Sequence, residues 1–340
     1  LDIESDVRDA DFRAHEGKVE LISGGPPCQP FSVGGRHRAH ADRRDMFPEA
    51  VRAVREAKPR AFIFENVRGL TRERFSSYYE YIKLQMQYPE LVAKGDEDWS
   101  AHLRRLERHH TGSRADPGLE YSLVAEVLNA ADYGVPQKRH RVFFVGFRKD
   151  KAIEWSFPEA THSQDALLWD QAHGQYFERH AVSKRERWCN AERMKVRAER
   201  MTERPSALPW LTVRDALATL PDPERETAEG SKLSGHRFQP GAKSYPGHTG
   251  SPLDDAAKAL KAGVHGVPGG ENMLARADGS VRYFTVRESA RLQTFPDSYR
   301  IEGVWSEAMR QLGNAVPVTL AERVARSVAV ALETSASTKR

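Results

Sequence analysis

The chain has 340 residues, a formal charge of +4, 39% hydrophobic and 29% charged residues. No apolar run approaches the roughly 20 residues that a membrane-spanning helix needs, and no secretory leader is visible, so a membrane class is excluded and a cytoplasmic location is expected. Two cysteines, Cys28 and Cys189, cannot build a disulfide framework or a paired-cysteine zinc site, and the 13 histidines lack metal-ligand spacing, so no metal is expected.

From residue 1 to about 147 short apolar runs alternate with helix-like stretches, the pattern of a parallel α/β sheet. Val19 to Ser23 reads as a strand entering the turn Gly24-Gly25-Pro26-Pro27. A helix follows in which Phe47, Ala50, Val51 and Val54 share a face and Pro59 is the stop. Ala61 to Phe64 is the next strand, ending at Glu65. Gln87 to Gly118 is polar and reads as a surface insertion; Tyr121 to Ala131 has helical spacing, and Val142 to Val145 is a strand. From about 148 to 283 the rhythm gives way to charge-rich helical text and a Gly/Pro-rich passage, Gly230 to Gly279. Thr285 to Gln293 is then a helix, and Pro317 opens a terminal helix with Leu320, Val324, Val328 and Ala331 on one face, before a polar tail, 334–340.

Cys28 and Glu65 therefore both fall just past the carboxyl ends of neighbouring strands, where open α/β sheets hold ligands. A cysteine is a weak nucleophile until ionised, and a lone one on such a turn is more often a buried, inert thiol. Glu65 alone reads as a surface salt bridge, and Gln137-Lys138-Arg139-His140-Arg141 alone as a solvated strand edge.

Taken in order, Pro26-Pro27-Cys28-Gln29, Glu65-Asn66-Val67, Gln137 to Arg141, Arg287 to Pro296 and Gln311-Leu312-Gly313-Asn314-Ala315-Val316-Pro317 resemble the ordered signature of the DNA cytosine-5 methyltransferases, prokaryotic type. The resemblance spans most of the chain. It implies a Rossmann-like, S-adenosylmethionine-dependent methyltransferase sheet with a smaller target-recognition domain: a catalytic α/β domain at 1–147, target recognition at 148–283, and a return to the catalytic domain at 284–333. It also implies double-stranded DNA as substrate and a base flipped out of the helix.

By that resemblance Cys28 is the nucleophile, Glu65 the acid at the Watson–Crick edge, Arg141 a donor to cytosine O2, and Arg139 the residue that positions it and the Cys28 loop. Gln29, Ser32, Asn66 and Gln137 are expected at the substrate, with Asn66 bracing the loop; Asp6, Pro27, Met46 and Asn314 are expected at the donor. The family's aromatic-rich glycine turn after the first strand, and its acid after the second, have no counterpart, since residues 1 to 18 contain only Gly17. The sheet is therefore expected to be N-terminally incomplete, its donor site completed by a missing segment or a second polypeptide, and the completed protein a monomer. A DNA-binding subunit unable to hold the donor alone, and the tRNA-methylating branch, are the competing readings.

Two segments are left with paired readings. Residues 183 to 204 hold eight basic and four acidic side chains, which suits either phosphate contact or a solvated, ion-paired helix. The loop Gly263 to Gly270 suits groove entry or plain loop packing.

Overall fold

The computed structural model describes residues 6–27, 45–112, 118–189, 191–225, 233–246, 249–262 and 272–337. The chain divides into two compact units, the first from residues 1–128, 140–158 and 324–340, the second from 129–139 and 159–323. Residues 284–323, expected with the first domain, thus pack within the second unit.

The first unit is built on a four-stranded sheet. Strand β1 (Leu21–Gly24) is followed by helix α1 (Phe47–Ala57), β2 (Ala61–Val67), α2 (Ser76–Gln87), α3 (Trp99–Thr111) and β3 (Tyr121–Asn129). The short strand β4 (Gln137–Lys138) belongs to the second unit, and β5 (His140–Arg148) returns to the first. The strand order is β1-β2-β5-β3. The β1/β2 pair is parallel, as expected, with Gly24 opposite Phe64, whereas β2 and β5 run antiparallel with Val67 opposite Arg141. Four consecutive buried residues, Ala61 to Phe64, suit a strand covered on both faces. The expected α1 face, Phe47, Ala50, Val51 and Val54, is buried, and Lys58 ends the helix in the left-handed region, φ 48°.

Two expectations for this unit are corrected. Tyr121 to Asn129 is a strand, not a helix: Tyr121, Leu123, Ala125 and Val127 alternate onto the core, and their period of two prevails because β5 supplies an adjacent partner. Residues 87–118 are not a mere surface insertion, since α3 buries His102, Leu103 and Leu106, the two leucines joining the main core. The charges around that i, i+3 pair masked it in the sequence.

The second unit continues with β6 (His162–Ser163), α4 (Gln164–Ala172), α5 (Tyr176–Arg179), α6 (Glu192–Glu199), β7 (Leu208–Pro209), α7 (Val213–Leu217), β8 (Ser251–Pro252), β9 (Ala257–Lys258), β10 (Met273–Ala275), β11 (Val281–Tyr283), α8 (Val286–Leu292) and α9 (Trp305–Asn314). Helix α10 (Val318–Ser337) begins directly after Pro317 and runs into the expected tail. Its strands are short, and its cores are small clusters around Leu260, Phe284 and Leu312 and around Leu167, Tyr176 and Trp210. Helix α8 starts where the sequence places it: Thr285 caps Glu288 N–H while the Glu288 carboxylate accepts from Thr285 N–H. No described helix is long and apolar enough to cross a membrane.

Candidate active site

Glu65 lies in the last turn of pleat of β2, and Arg141 is the second residue of β5. Antiparallel register places Arg141 opposite Val67, so Arg141 and Glu65 are diagonal neighbours on one face. They form an ion pair, Arg141 Nε to Glu65 Oε1 at 2.6 Å, with side chains 12% and 13% exposed. Burial pulls the Arg141 guanidinium below its ordinary value, and the adjacent Glu65 carboxylate opposes that pull. Arg141 Nη1 also donates to its neighbour's carbonyl, His140 O, at 2.9 Å.

The parallel β1/β2 pairing brings the turn after β1 to the same end. A Cβ added at Gly25 would stand 3.4 Å from Glu65 Oε2, an ordinary contact, so the turn runs alongside the carboxylate. The next residue along β2, Asn66, is 6% exposed; its amide nitrogen donates to Pro26 O at 2.8 Å and its Oδ1 accepts from Val67 N at 2.8 Å. Both polar ends of Asn66 are thus spent on backbone, which is a bracing role. Met46 N, at the start of α1, donates to Pro27 O at 3.1 Å. The turn is therefore held from both sides up to Pro27, the residue to which Cys28 is bonded. Cys28, Gln29 and Ser32 lie outside the described residues, as does the loop 263–270.

Of the residues expected at the donor, Asp6, Pro27 and Met46 gather around α1. Arg52 on that helix donates to Val7 O at 2.7 Å and Ala10 O at 3.0 Å, fixing the segment that begins at Asp6. Hydrogen bonds from Arg8, its side chain first, lower the Asp6 carboxyl to about 2. Arg8 engages both carboxylate oxygens, donating from Nε to Oδ1 at 2.9 Å and to Oδ2 at 3.1 Å.

The second unit holds the remaining expected residues. Arg139, 1% exposed, donates to Leu260 O at 2.9 Å and Gly313 O at 2.5 Å. Gln137, fully buried, donates to Leu292 O at 3.1 Å and accepts from Leu260 N at 3.0 Å. Both side chains thus tie distant segments of this unit together, the Gln137 amide through backbone partners at both its ends. Asn314, at the end of α9, is exposed. Two residues of this knot were not singled out from sequence. Gly313 allows Lys261 and Ala262 to approach so closely that a Cβ would stand 2.3 Å from Ala262 N. Buried Asn272 clamps Lys261 by both its backbone groups, at 2.9 and 3.1 Å. The glycine inside Gln311 to Pro317 was the available signal for the first; the second had none.

A family model described as C-5 cytosine-specific DNA methylase matches residues 2–88 and 116–329. The type II methyltransferase M.SacI of Streptomyces achromogenes is 33% identical over 343 residues, covering 92% of this chain and 72% of its own length. M.AplI of Arthrospira platensis is 30% identical over 319 residues, covering 94% and 70%. In fold, the chain is similar to a candidate DNA modification methyltransferase encoded within an Escherichia coli prophage, at a TM-score of 0.54 and 20% identity, over 98% of this chain and 86% of that one. The ion-paired acid and arginine at the strand ends thus belong to a chain matched along most of its length, and this protein is a member of the C-5 cytosine-specific DNA methylase family.

Proposed function

We propose that the protein methylates C5 of a cytosine flipped out of duplex DNA through a covalent adduct between Cys28 and C6. The observation that carries this reading is the Glu65–Arg141 pair beside a turn that Asn66 and Met46 hold as far as Pro27. Cytosine C5 is too poor a nucleophile to accept a methyl group unaided. Addition of the Cys28 thiolate to C6 turns the ring into an enamine, nucleophilic at C5.

Glu65 and Arg141 then act on the pyrimidine edge. In the resting pair the guanidinium compensates the carboxylate. A base entering between them would take Arg141 donors at its O2 and present N3 to Glu65, replacing a cation with a ring nitrogen. A carboxyl so shielded favours its protonated form and can hand that proton to N3 as charge builds on the ring. Once C5 carries the methyl group, a water molecule takes the C5 proton, the electron pair left behind forms the C5–C6 double bond and expels Cys28 as thiolate, and N3 returns its proton to Glu65, leaving neutral, aromatic 5-methylcytosine.

S-adenosylmethionine is the donor the family implies, and it supplies an electrophilic methyl group when bound. Asp6, Pro27 and Met46 of the first unit would hold it. Arg139 would act indirectly, by fixing the segment that leads into β5.

Duplex DNA of mixed sequence with 5-fluorocytosine in place of cytosine tests the covalent step, because fluorine cannot leave as the proton does. With donor present, wild-type protein should form an adduct that survives denaturing electrophoresis, and Cys28→Ser should not. A wild-type protein that methylates ordinary DNA but leaves no adduct would overturn the mechanism while sparing the activity.

A further inference from the structure

The segment 183 to 204, whose charges suit either DNA contact or internal pairing, is decided by where those charges point. Arg187 pairs with Glu178 at 2.9 Å and Arg197 with Asp165. Lys184, Arg185, Arg193, Lys195, Arg200 and Arg204 make no ion pair among the described residues. Several arginines elsewhere in the same unit are answered by acids, as in Arg214–Asp254 at 2.6 Å, Arg291–Asp297 at 2.6 Å and Arg310–Glu307 at 2.5 Å, and those that are not, such as Arg237 and Arg300, stand singly rather than in a row along one helix. The contrast does not come from a shortage of acids, since Glu192, Glu199 and Glu203 lie in the same stretch.

Helical geometry explains it. Arg193, Arg197 and Arg200 are spaced i, i+4, i+7 and share one side of α6, continued into its C-cap. Glu192 and Glu199, also seven apart, lie roughly a third of the circumference away. The inward side is fixed by Ala198, fully buried, whose carbonyl lies 3.0 Å from His173 Nε2 just past the end of α4. The arginine side is solvent-exposed. Signs are thus sorted into stripes, and Asp165 anchors only the middle arginine.

We propose that this arginine face, through Arg193 and Arg200, grips the phosphate backbone of duplex DNA without reading bases. The proposal rests on the reading that the protein acts on DNA. Guanidinium forks match phosphate oxygens, and a row of them along a helix suits a periodic polyanion. Long exposed side chains that no neighbour packs or orients lack the preorganisation that base discrimination needs. The face therefore contributes affinity that depends on salt and not on sequence.

The test is the salt dependence of binding to a mixed-sequence duplex by wild type, by Arg193→Gln/Arg200→Gln, and by Arg225→Gln/Arg310→Gln, which removes the same charge from paired sites of the same unit. Each lost phosphate contact lowers the slope of log K against log salt by about 0.9, so the first variant should lose between about 1 and 2 in slope. The control should keep the wild-type slope, and both variants should keep the wild-type methylation rate at saturating DNA. An unchanged slope in the first variant, or an equal fall in both, overturns the proposal. Failure of wild type to bind and methylate duplex DNA overturns it together with the reading beneath it, and the methylation assay tells the two failures apart.

Discussion

Two shielded acid–arginine pairs among the described residues have opposite character. In the second unit Arg282 meets Glu288 through two parallel bonds of 2.7 and 2.6 Å, and the side chains are 7% and 2% exposed. Glu288 Oε2 also accepts from Thr285 N at 2.9 Å, and Arg282 Nη1 donates to Tyr283 O at 3.1 Å. The carboxylate is thus surrounded by donors that start α8 and hold β11 to it. In the first unit Glu65 meets Arg141 through Nε at 2.6 Å, and its other oxygen lies against the glycine turn. Identical residue types therefore serve the fold in one place and face a loop edge in the other. Geometry around the second oxygen tells them apart.

The largest effects should separate the pairs cleanly. Glu65→Gln removes the proton donor, so the methylation rate should fall by about 10²–10⁴-fold. Its amide can still turn oxygen toward Arg141, but the shielded guanidinium loses its charge partner, so denaturant stability should fall, by less than in the more deeply buried pair of the second unit. Glu288→Gln should act mainly on stability. Its amide nitrogen must face a donor, either Arg282 or Thr285 N–H, and a buried cation is left uncompensated; breaking such a pair costs about 3–5 kcal/mol. Initial rates of labelled-methyl transfer and urea unfolding, run on both variants, check this. Comparable destabilisation of the two would show that Glu65 is a second structural acid.

The sequence made the first pair readable and left the second hidden. Glu65 and Arg141 were legible because strand ends and ordered motifs mark them. Arg282 and Glu288 are six residues apart with no pattern beyond the capping box, and only the pairing of β10 with β11 brings Arg282 beside the helix start. Likewise α1 and α8 were legible from apolar spacing and caps, which are local. The apolar residues of β3 satisfy both periods, and only the neighbouring strand β5 decides between helix and strand. Leu103 and Leu106 were hidden by the charged residues that share their helix. Contacts across long sequence separations, such as Arg139 with Leu260 and Gly313, have no local signal at all.

Two glycines sharpen the contrast at an intermediate scale. Gly313→Ala would set a methyl group 2.3 Å from Ala262 N and 2.5 Å from Lys261 C. These are backbone atoms, so the segment that supplies Arg139 and Gln137 with partners must move, at a cost of about 1–3 kcal/mol. Gly25→Ala meets Glu65 Oε2 at 3.4 Å and the Glu65 carbonyl oxygen at 3.9 Å, both ordinary contact distances. Its stability should stay within about 0.5 kcal/mol of wild type, while crowding of the carboxylate slows methyl transfer. Similar unfolding midpoints for the two variants would remove the distinction between a knot that holds the second unit and a turn that serves the site.

A graded effect, on stability and rate together, concerns the brace between them. In Asn66→Asp the acceptor for Val67 N is kept and the donor to Pro26 O is lost, with an oxygen now facing an oxygen across a bond of 2.8 Å. An unsatisfied buried carbonyl costs about 1–3 kcal/mol, and relaxation of an exposed turn should hold the loss near the lower end. Stability should therefore fall by about 1 kcal/mol, while the rate of adduct formation on 5-fluorocytosine DNA falls by more than that loss accounts for, because the turn leading to Cys28 is no longer pinned. A rate that merely follows the folded fraction would make Asn66 a stabilising residue only, and would move the boundary of the site from the turn back to Glu65 and Arg141.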